Sequence, residues 1–347
     1  MTLFIVVTAV LSAIYLWWGI RFLPAERWQM AAAVPVSREA DGSWQGVNIT
    51  WYGILSANAY GAAALLFLAL AASLGAPLVL TLSTLGVTLA LCVPASRLVA
   101  RIVEGKRHTF TVGGAVFVGT ITAPFVVSLM NRLLAPADGR LPVMALLAAV
   151  ASAYALGEGF GRLACISFGC CYGKPLSAAH PLIGRLLTRR AFIFRSETKK
   201  ASYAGNLAGI PLVPIQGITA VLYTATALAS AALFLSGQFA LAFLIAMGIT
   251  QLWRTVSEFL RDDYRGDNRI SAYQIMGILA VAYGAATAFY FRGETPIIPD
   301  PGRIAAALWT PAAILPLQCI WLAILFYTGR STVTGSRIFF HVHRERV

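Results

Sequence analysis

The sequence predicts an all-α fold: a polytopic transmembrane helix bundle of about nine spans with a loop-rich cap on one side. Three observations predict it. Only 12% of the 347 residues are charged while 58% are apolar, against about a quarter charged in a soluble domain. Apolar stretches recur at the ~20 residues that a helix needs to cross a bilayer. The mean hydropathy of +0.73 is that of a chain whose surface largely faces something other than water.

The first run, Thr2–Phe22, ends in Trp17, Trp18 and Arg21 with no small-residue cleavage pattern after it. It is expected to be a first transmembrane helix and not a removed signal. Further spans are expected at about 51–74, 76–100, 112–134, 141–160, 215–236, 238–257, 271–291 and 304–328. Pro94 interrupts the third span, and Pro311 and Pro316 the last. Membrane helices tolerate proline where neighbours satisfy the freed carbonyl.

Two connections are long, 24–50 and 161–213, and the second carries Arg185, Arg189, Arg190, Arg195, Lys199 and Lys200. It is expected to form a small cap. With nine spans, both long loops fall on one side, together with 101–111, 259–270 and the C-terminal tail. By loop charge alone, the positive-inside rule places that side in the cytoplasm. The formal charge of +13 is spread over these loops. It suits attraction to a membrane surface or an anionic substrate. There is no recognisable nucleic-acid module, and no nucleic-acid partner is expected.

Ionisable residues at membrane depth mark function by default. Glu158 and Arg162 are four apart at the end of one span, and Arg254 and Glu258 are four apart at the end of another. That spacing puts each pair on one helix face. Two guanidiniums converging at one end of the bundle suit the phosphate of an anionic lipid, which a guanidinium grips with two parallel bonds. The alternative is that each arginine is held by its own glutamate or snorkels to the interface.

The stretch from Gly161 to Pro175 holds Cys165, Cys170, Cys171 and Gly173 and reads as a tight backbone path leaving a helix. The three cysteines match no zinc spacing, and a disulfide between neighbours is strained. They are expected to pack or to line a site, and no metal or cofactor is expected. Cys92 and Cys319 sit in apolar runs and are expected to pack as small hydrophobes. His108 precedes Val112-Gly113-Gly114 and is a candidate general base, with a solvated loop histidine as the alternative. Trp51-Tyr52-Gly53 opens the second span, as an interfacial anchor would.

Taken in order, these landmarks resemble the prolipoprotein diacylglyceryl transferase family over roughly residues 48–291. Trp51-Tyr52-Gly53 matches a Trp-Tyr-Gly segment, Gly113-Gly114 the paired glycine of a His-Gly-Gly segment, and Gly161-Arg162 with Gly173 the ends of the signature. Pro214-Ile215-Gln216 matches a Pro-Ser-Gln segment, Arg254 and Glu258 a helical Arg/Glu pair followed by Arg261, and Gln274 a Gly-Gln position. The family's histidine falls on Val112, its asparagine on Cys165, its glutamate on Cys170, and a further histidine on Val213.

The resemblance implies transfer of a diacylglyceryl group from phosphatidylglycerol, or another anionic phospholipid, to the cysteine thiol of a prolipoprotein in the bacterial cytoplasmic membrane. Arg162 and Arg254 would bind the phosphate, Glu258 would orient Arg254, and Tyr52 would donate to the head group. Gly113, Gly114, Gly173, Gln216, Gln274 and Arg261 would help line the lipid site, and His108 or Cys170 would serve the chemistry. A different acceptor protein or small molecule, or lipid binding without turnover, fits the substituted positions. A thiol redox protein is a third reading. The family's site opens to the outer face of that membrane, and this orientation is expected over the one from loop charge. The expected division is 1–50 as an added helix and loop, 51–291 as the transferase-like core with its 161–213 cap, and 292–347 as an added helix and basic tail.

Overall fold

The computed structural model describes residues 1–26, 29–105, 112–135, 139–263, 270–294 and 297–346. In chain order the helices are α1 (Thr2–Phe22), α2 (Trp51–Ser73), α3 (Leu78–Glu104), α4 (Val112–Leu134), α5 (Val143–Phe168), α6 (Pro181–Leu187), α7 (Lys200–Tyr203), α8 (Ile215–Leu235), α9 (Phe239–Ser257), α10 (Ala272–Tyr290), α11 (Gly302–Leu308) and α12 (Pro311–Thr328). Among the described residues, nine of these are long and apolar enough to cross a membrane, all except α6, α7 and α11. The protein is an all-α polytopic bundle.

Its centre is α5, which packs on α2, α8 and α9. Outer helices α1, α3, α4 and α12 bury little of themselves and present apolar faces outward. Lipid tails are as apolar as leucine, so helices in a bilayer associate through close packing of small residues and hydrogen bonds between helices. Both are present. Ala145, Ala148, Ala149 and Ser152 are buried along α5. The Ser152 and Ser230 hydroxyls lie 2.6 Å apart, and Ser230 donates to the Ala242 carbonyl at 2.8 Å. Further along, Trp253 Nε1 donates to Thr219 Oγ1 at 2.9 Å and the Tyr223 hydroxyl to the Thr250 carbonyl at 2.5 Å. These bonds clamp α8 to α9 beneath the loop-rich end.

Within the connection 24–50, expected to be a loop, the structure forms a hairpin of β1 (Met30–Arg38) and β2 (Trp44–Thr50). The Asp41-Gly42 turn closes it, with Gly42 at φ 84 and the Glu39 amide bonded to the Ser43 carbonyl at 2.8 Å. In the cap, β3 (Phe192–Ile193) pairs with β4 (Pro211–Leu212). The chain after α12 forms β5 (Arg330–Ile338), which pairs antiparallel with β2 in a sheet of order β1-β2-β5. The segments that follow the first and the last span are thereby joined.

The last expected span also differs. It divides into α11 and α12 because Thr310 caps a new helix, its hydroxyl accepting the Ala313 amide at 3.3 Å, with Pro311 in the first turn. Pro311 therefore starts a helix and does not interrupt one. Cys319 lies exposed on α12 and is not packed, while Cys92 is half-buried.

Candidate active site

Four turns of α5 and α9 build the polar centre. Tyr154, Glu158 and Arg162 follow one another at four-residue steps and so share one face of α5. The Glu158 carboxylate accepts the Tyr154 hydroxyl and the Arg162 guanidinium from its own helix. It also accepts the guanidinium of Arg254 from α9, which is 8% exposed, as is Glu158 itself. Gln251 Nε2 donates to the Tyr154 hydroxyl oxygen at 3.0 Å and secures the far side.

Two guanidiniums on one carboxylate leave a net single positive charge. The Nε atoms of Arg162 and Arg254 are both buried with no hydrogen-bond partner among the described residues. Buried, unpaired N–H donors of a cation are expensive to leave unmade. The arrangement therefore has both the charge and the free donors to take an anionic group.

The expected partner of Arg254 is not the observed one. Glu258 caps α9 one turn beyond Arg254, its amide still bonded to the Arg254 carbonyl, and the chain then tightens into a 3₁₀ turn (Glu258–Leu260) that brings Arg261 round to it. Glu258 instead meets Arg261 at 3.2 Å. Arg261 is further held by Asp263 through its Nε at 2.8 Å and a second nitrogen at 2.9 Å. Burial pushes the Asp263 carboxyl up to about 6, against the pull of Arg261. Glu258 therefore orients Arg261, and Arg261 is engaged by carboxylates.

Gly113, in the first turn of α4, lies directly against the centre. A Cβ there would come within 2.6 Å of the Tyr273 ring and 3.1 Å of an Arg254 nitrogen, so only glycine lets the α4 N-terminus approach the guanidinium. Gly114 faces Val99 and serves α3–α4 packing. Gln274 completes a capping box with Ser271 at the start of α10 and donates to the Thr255 carbonyl at 3.2 Å. Its geometry ties α10 to α9. His108 lies outside the described residues.

The segment leaving α5 wraps back on itself. Gly169 takes φ 71, and the Cys170 amide donates to the Cys165 carbonyl at 3.1 Å, a Schellman-type ending. The wrap brings Cys170 and Cys171 over Cys165, so that the three sulfur atoms lie within 4.8 Å of one another. Tyr52 stacks edge-on against Phe168, with ring centroids 5.6 Å apart, in electrostatic reach of these thiols. Gln216, at the start of α8, donates to the Cys170 carbonyl at 3.0 Å, and its Oε1 is buried without a partner among the described residues. Gly173 then passes under Val213, whose carbonyl would stand 2.3 Å from a Cβ, and pairs with Arg261. Arg162, Arg254, Gly113, Tyr52, Gln216 and Cys170 thus surround one end of the bundle.

The sequence reading missed Tyr154 and Gln251. Tyr154 carries a signal, since it lies one four-residue step before Glu158. Gln251 carries none, because its partner is on another helix.

A family model described as prolipoprotein diacylglyceryl transferase matches residues 43–290. The chain belongs to the prolipoprotein diacylglyceryl transferase family. No curated protein matches it. The matched region runs from the hairpin strand β2 to the end of α10 and contains every residue of the polar centre. As a member of this family, the protein is a membrane transferase of lipoprotein biosynthesis. Within it, cysteines stand at positions 165 and 170 and valine at 112, among the segments that resemble the family's motifs.

Proposed function

We propose that the protein transfers the diacylglyceryl group of phosphatidylglycerol to the cysteine thiol of a prolipoprotein, in the bacterial cytoplasmic membrane. The observation that carries this reading is the pair of buried guanidiniums sharing Glu158. Their single net charge matches a phosphodiester, and their unpartnered Nε donors supply its hydrogen bonds. In the reaction, the acceptor thiol gives up its proton to solvent and its sulfur attacks the glyceryl carbon that bears the phosphate ester. The carbon–oxygen bond breaks, and its electron pair leaves with glycerol phosphate. Charge grows on the phosphate oxygens as that bond breaks, and donors fixed beforehand in a water-poor site stabilise it. Gln216 Oε1, a buried acceptor with no partner among the described residues, would take a head-group hydroxyl.

The test is a transfer assay with labelled phosphatidylglycerol and a lipobox peptide. The expected result is lipidated peptide and released glycerol phosphate, lost in Arg162→Ala and Arg254→Ala. A second reading, a phospholipid-binding protein without turnover, is favoured by Val112, Cys165 and Cys170 standing at polar family positions. Lipid bound by the wild type but no transfer would sink the first reading in favour of the second.

A further inference from the structure

We infer that Cys165, Cys170 and Cys171 form a binding site for one thiophilic divalent cation, whose fourth coordination position receives the thiol of the acceptor. Spacing along the chain gave no hint of a metal site, because the three ligands span only seven residues. The fold supplies what spacing did not: the Gly169 turn reverses the chain and gathers all three sulfurs within 4.8 Å. A zinc–sulfur bond is about 2.3 Å, which sets tetrahedral sulfurs roughly 3.8 Å apart. Closing this trio on an ion therefore needs movements of at most about 1 Å. Two ligands sit on the turn and one on the helix. Cys171 already holds φ 55, so the turn is committed to this geometry.

The surroundings suit such an ion. Three thiolates and a divalent cation carry one net negative charge, and Arg162 and Arg261 lie within electrostatic reach of Cys171. Cys165 follows Arg162 by three residues on α5, a rise of about 4.5 Å that puts the two residues on one face of the helix. Sites with three protein ligands keep a fourth position open for a reactant.

The role of that position rests on the transferase reading. An acceptor thiol binding there gives its proton to water and becomes a metal-held thiolate. Its lone pair forms the carbon–sulfur bond while glycerol phosphate departs, and the neutral thioether, a weaker ligand, leaves the ion. No histidine base is required, which accounts for a working site with valine at 112.

The experiment uses the purified full chain, stripped with a chelator and titrated separately with zinc and cobalt(II). One bound zinc per chain and a thiolate-to-cobalt charge-transfer band are expected. Both should be lost in Cys165→Ser, Cys170→Ser and Cys171→Ser, and kept in Cys92→Ser and Cys319→Ser. A thermal melt of each variant separates loss of metal from loss of fold. Adding a lipobox peptide should change the cobalt spectrum, and its cysteine-to-serine counterpart should not. Absence of binding in folded wild type, or binding that survives loss of the trio, overturns the site. Full transfer by metal-free protein overturns the metal's role and leaves the transferase reading standing. A metal-bound, peptide-responsive protein that transfers nothing supports the site and defeats the transferase reading.

Discussion

A carboxylate held between two buried guanidiniums cannot be neutralised without leaving like charges facing each other in a low-dielectric bundle. Glu158→Gln is therefore expected to destabilise the protein by about 3–5 kcal/mol, read as a lowered melting temperature in detergent. An unchanged melt would mean that the arginines have other partners. Lysine in place of either arginine keeps the charge but loses the planar fork. Arg162→Lys and Arg254→Lys should each lower kcat/KM for phosphatidylglycerol by roughly 10–100-fold while leaving the fold intact; wild-type values in both would show that charge alone suffices. At this scale the sequence was half legible. Arg162 and Glu158 were paired by helical spacing and do meet. Arg254 was assigned to Glu258 by the same rule and instead crosses to α5. The helical spacing is intact, since the Glu258 amide still bonds the Arg254 carbonyl, but Glu158 and Arg261 compete for the two side chains and no spacing within one segment reports the packing of another.

Contacts between elements show how the outer helices are attached to the core. Gly53 opens α2 beneath the start of β5, where a Cβ would lie 2.2 Å from the Gly329 Cα. The Thr50 amide donates to the Gly329 carbonyl at 2.9 Å in the same place. Gly53→Leu is expected to destabilise by about 1–3 kcal/mol through overpacking and to expose residues 329–338 to protease; equal cleavage of variant and wild type would refute the docking. On the other flank, Lys199 is fully buried and its Nζ donates to the carbonyls of Leu23 and Ser167 at 2.9 and 2.8 Å, with Glu26 at 3.6 Å. It ties the end of α1 to the end of α5. Burial pulls its amine down to about 8 from 10.5, despite Glu26. Between those values the unfolded chain binds more protons than the folded one, so this group adds stability as pH rises through that window. The wild type should gain melting temperature from pH 7 to pH 9.5 relative to Lys199→Met; parallel curves would contradict the assignment. Helical elements were legible because length and hydropathy alone announce a span. The sheet was not. Its first strand is small-residued, mostly exposed and broken by Pro35, and the partner that completes it lies some 290 residues away along the chain. Only the Asp41-Gly42 turn was a readable sign.

Viewed whole, the molecule is lopsided: the polar centre, the thiol trio, the cap and the terminal sheet all occupy the end where α5 and α9 finish and α2, α4 and α8 begin. Two forces act on which side of the membrane that end faces. Its basic loops favour the cytoplasm by the positive-inside rule. Against this, the family resemblance implies a site that opens to the outer face, and basic residues around a lipid site would also concentrate anionic lipid there. The rule counts charge near short loops, and long segments translocate largely regardless of it. The most basic stretch, Arg185–Lys200, lies within the long connection from α5 to α8, and the hairpin and β5 form a folded unit. Part of the charge therefore lies about 15 residues or more from either span, at the limit of the rule's reach, and the resemblance makes an outward-facing site the expected orientation. Reporters after Val347 and near Ser196 should both signal the outer side, because β5 joins the tail to the same end as the cap. Two cytoplasmic signals would reverse the orientation and require an acceptor on the inner face. Signals from opposite sides would contradict the nine-span arrangement itself.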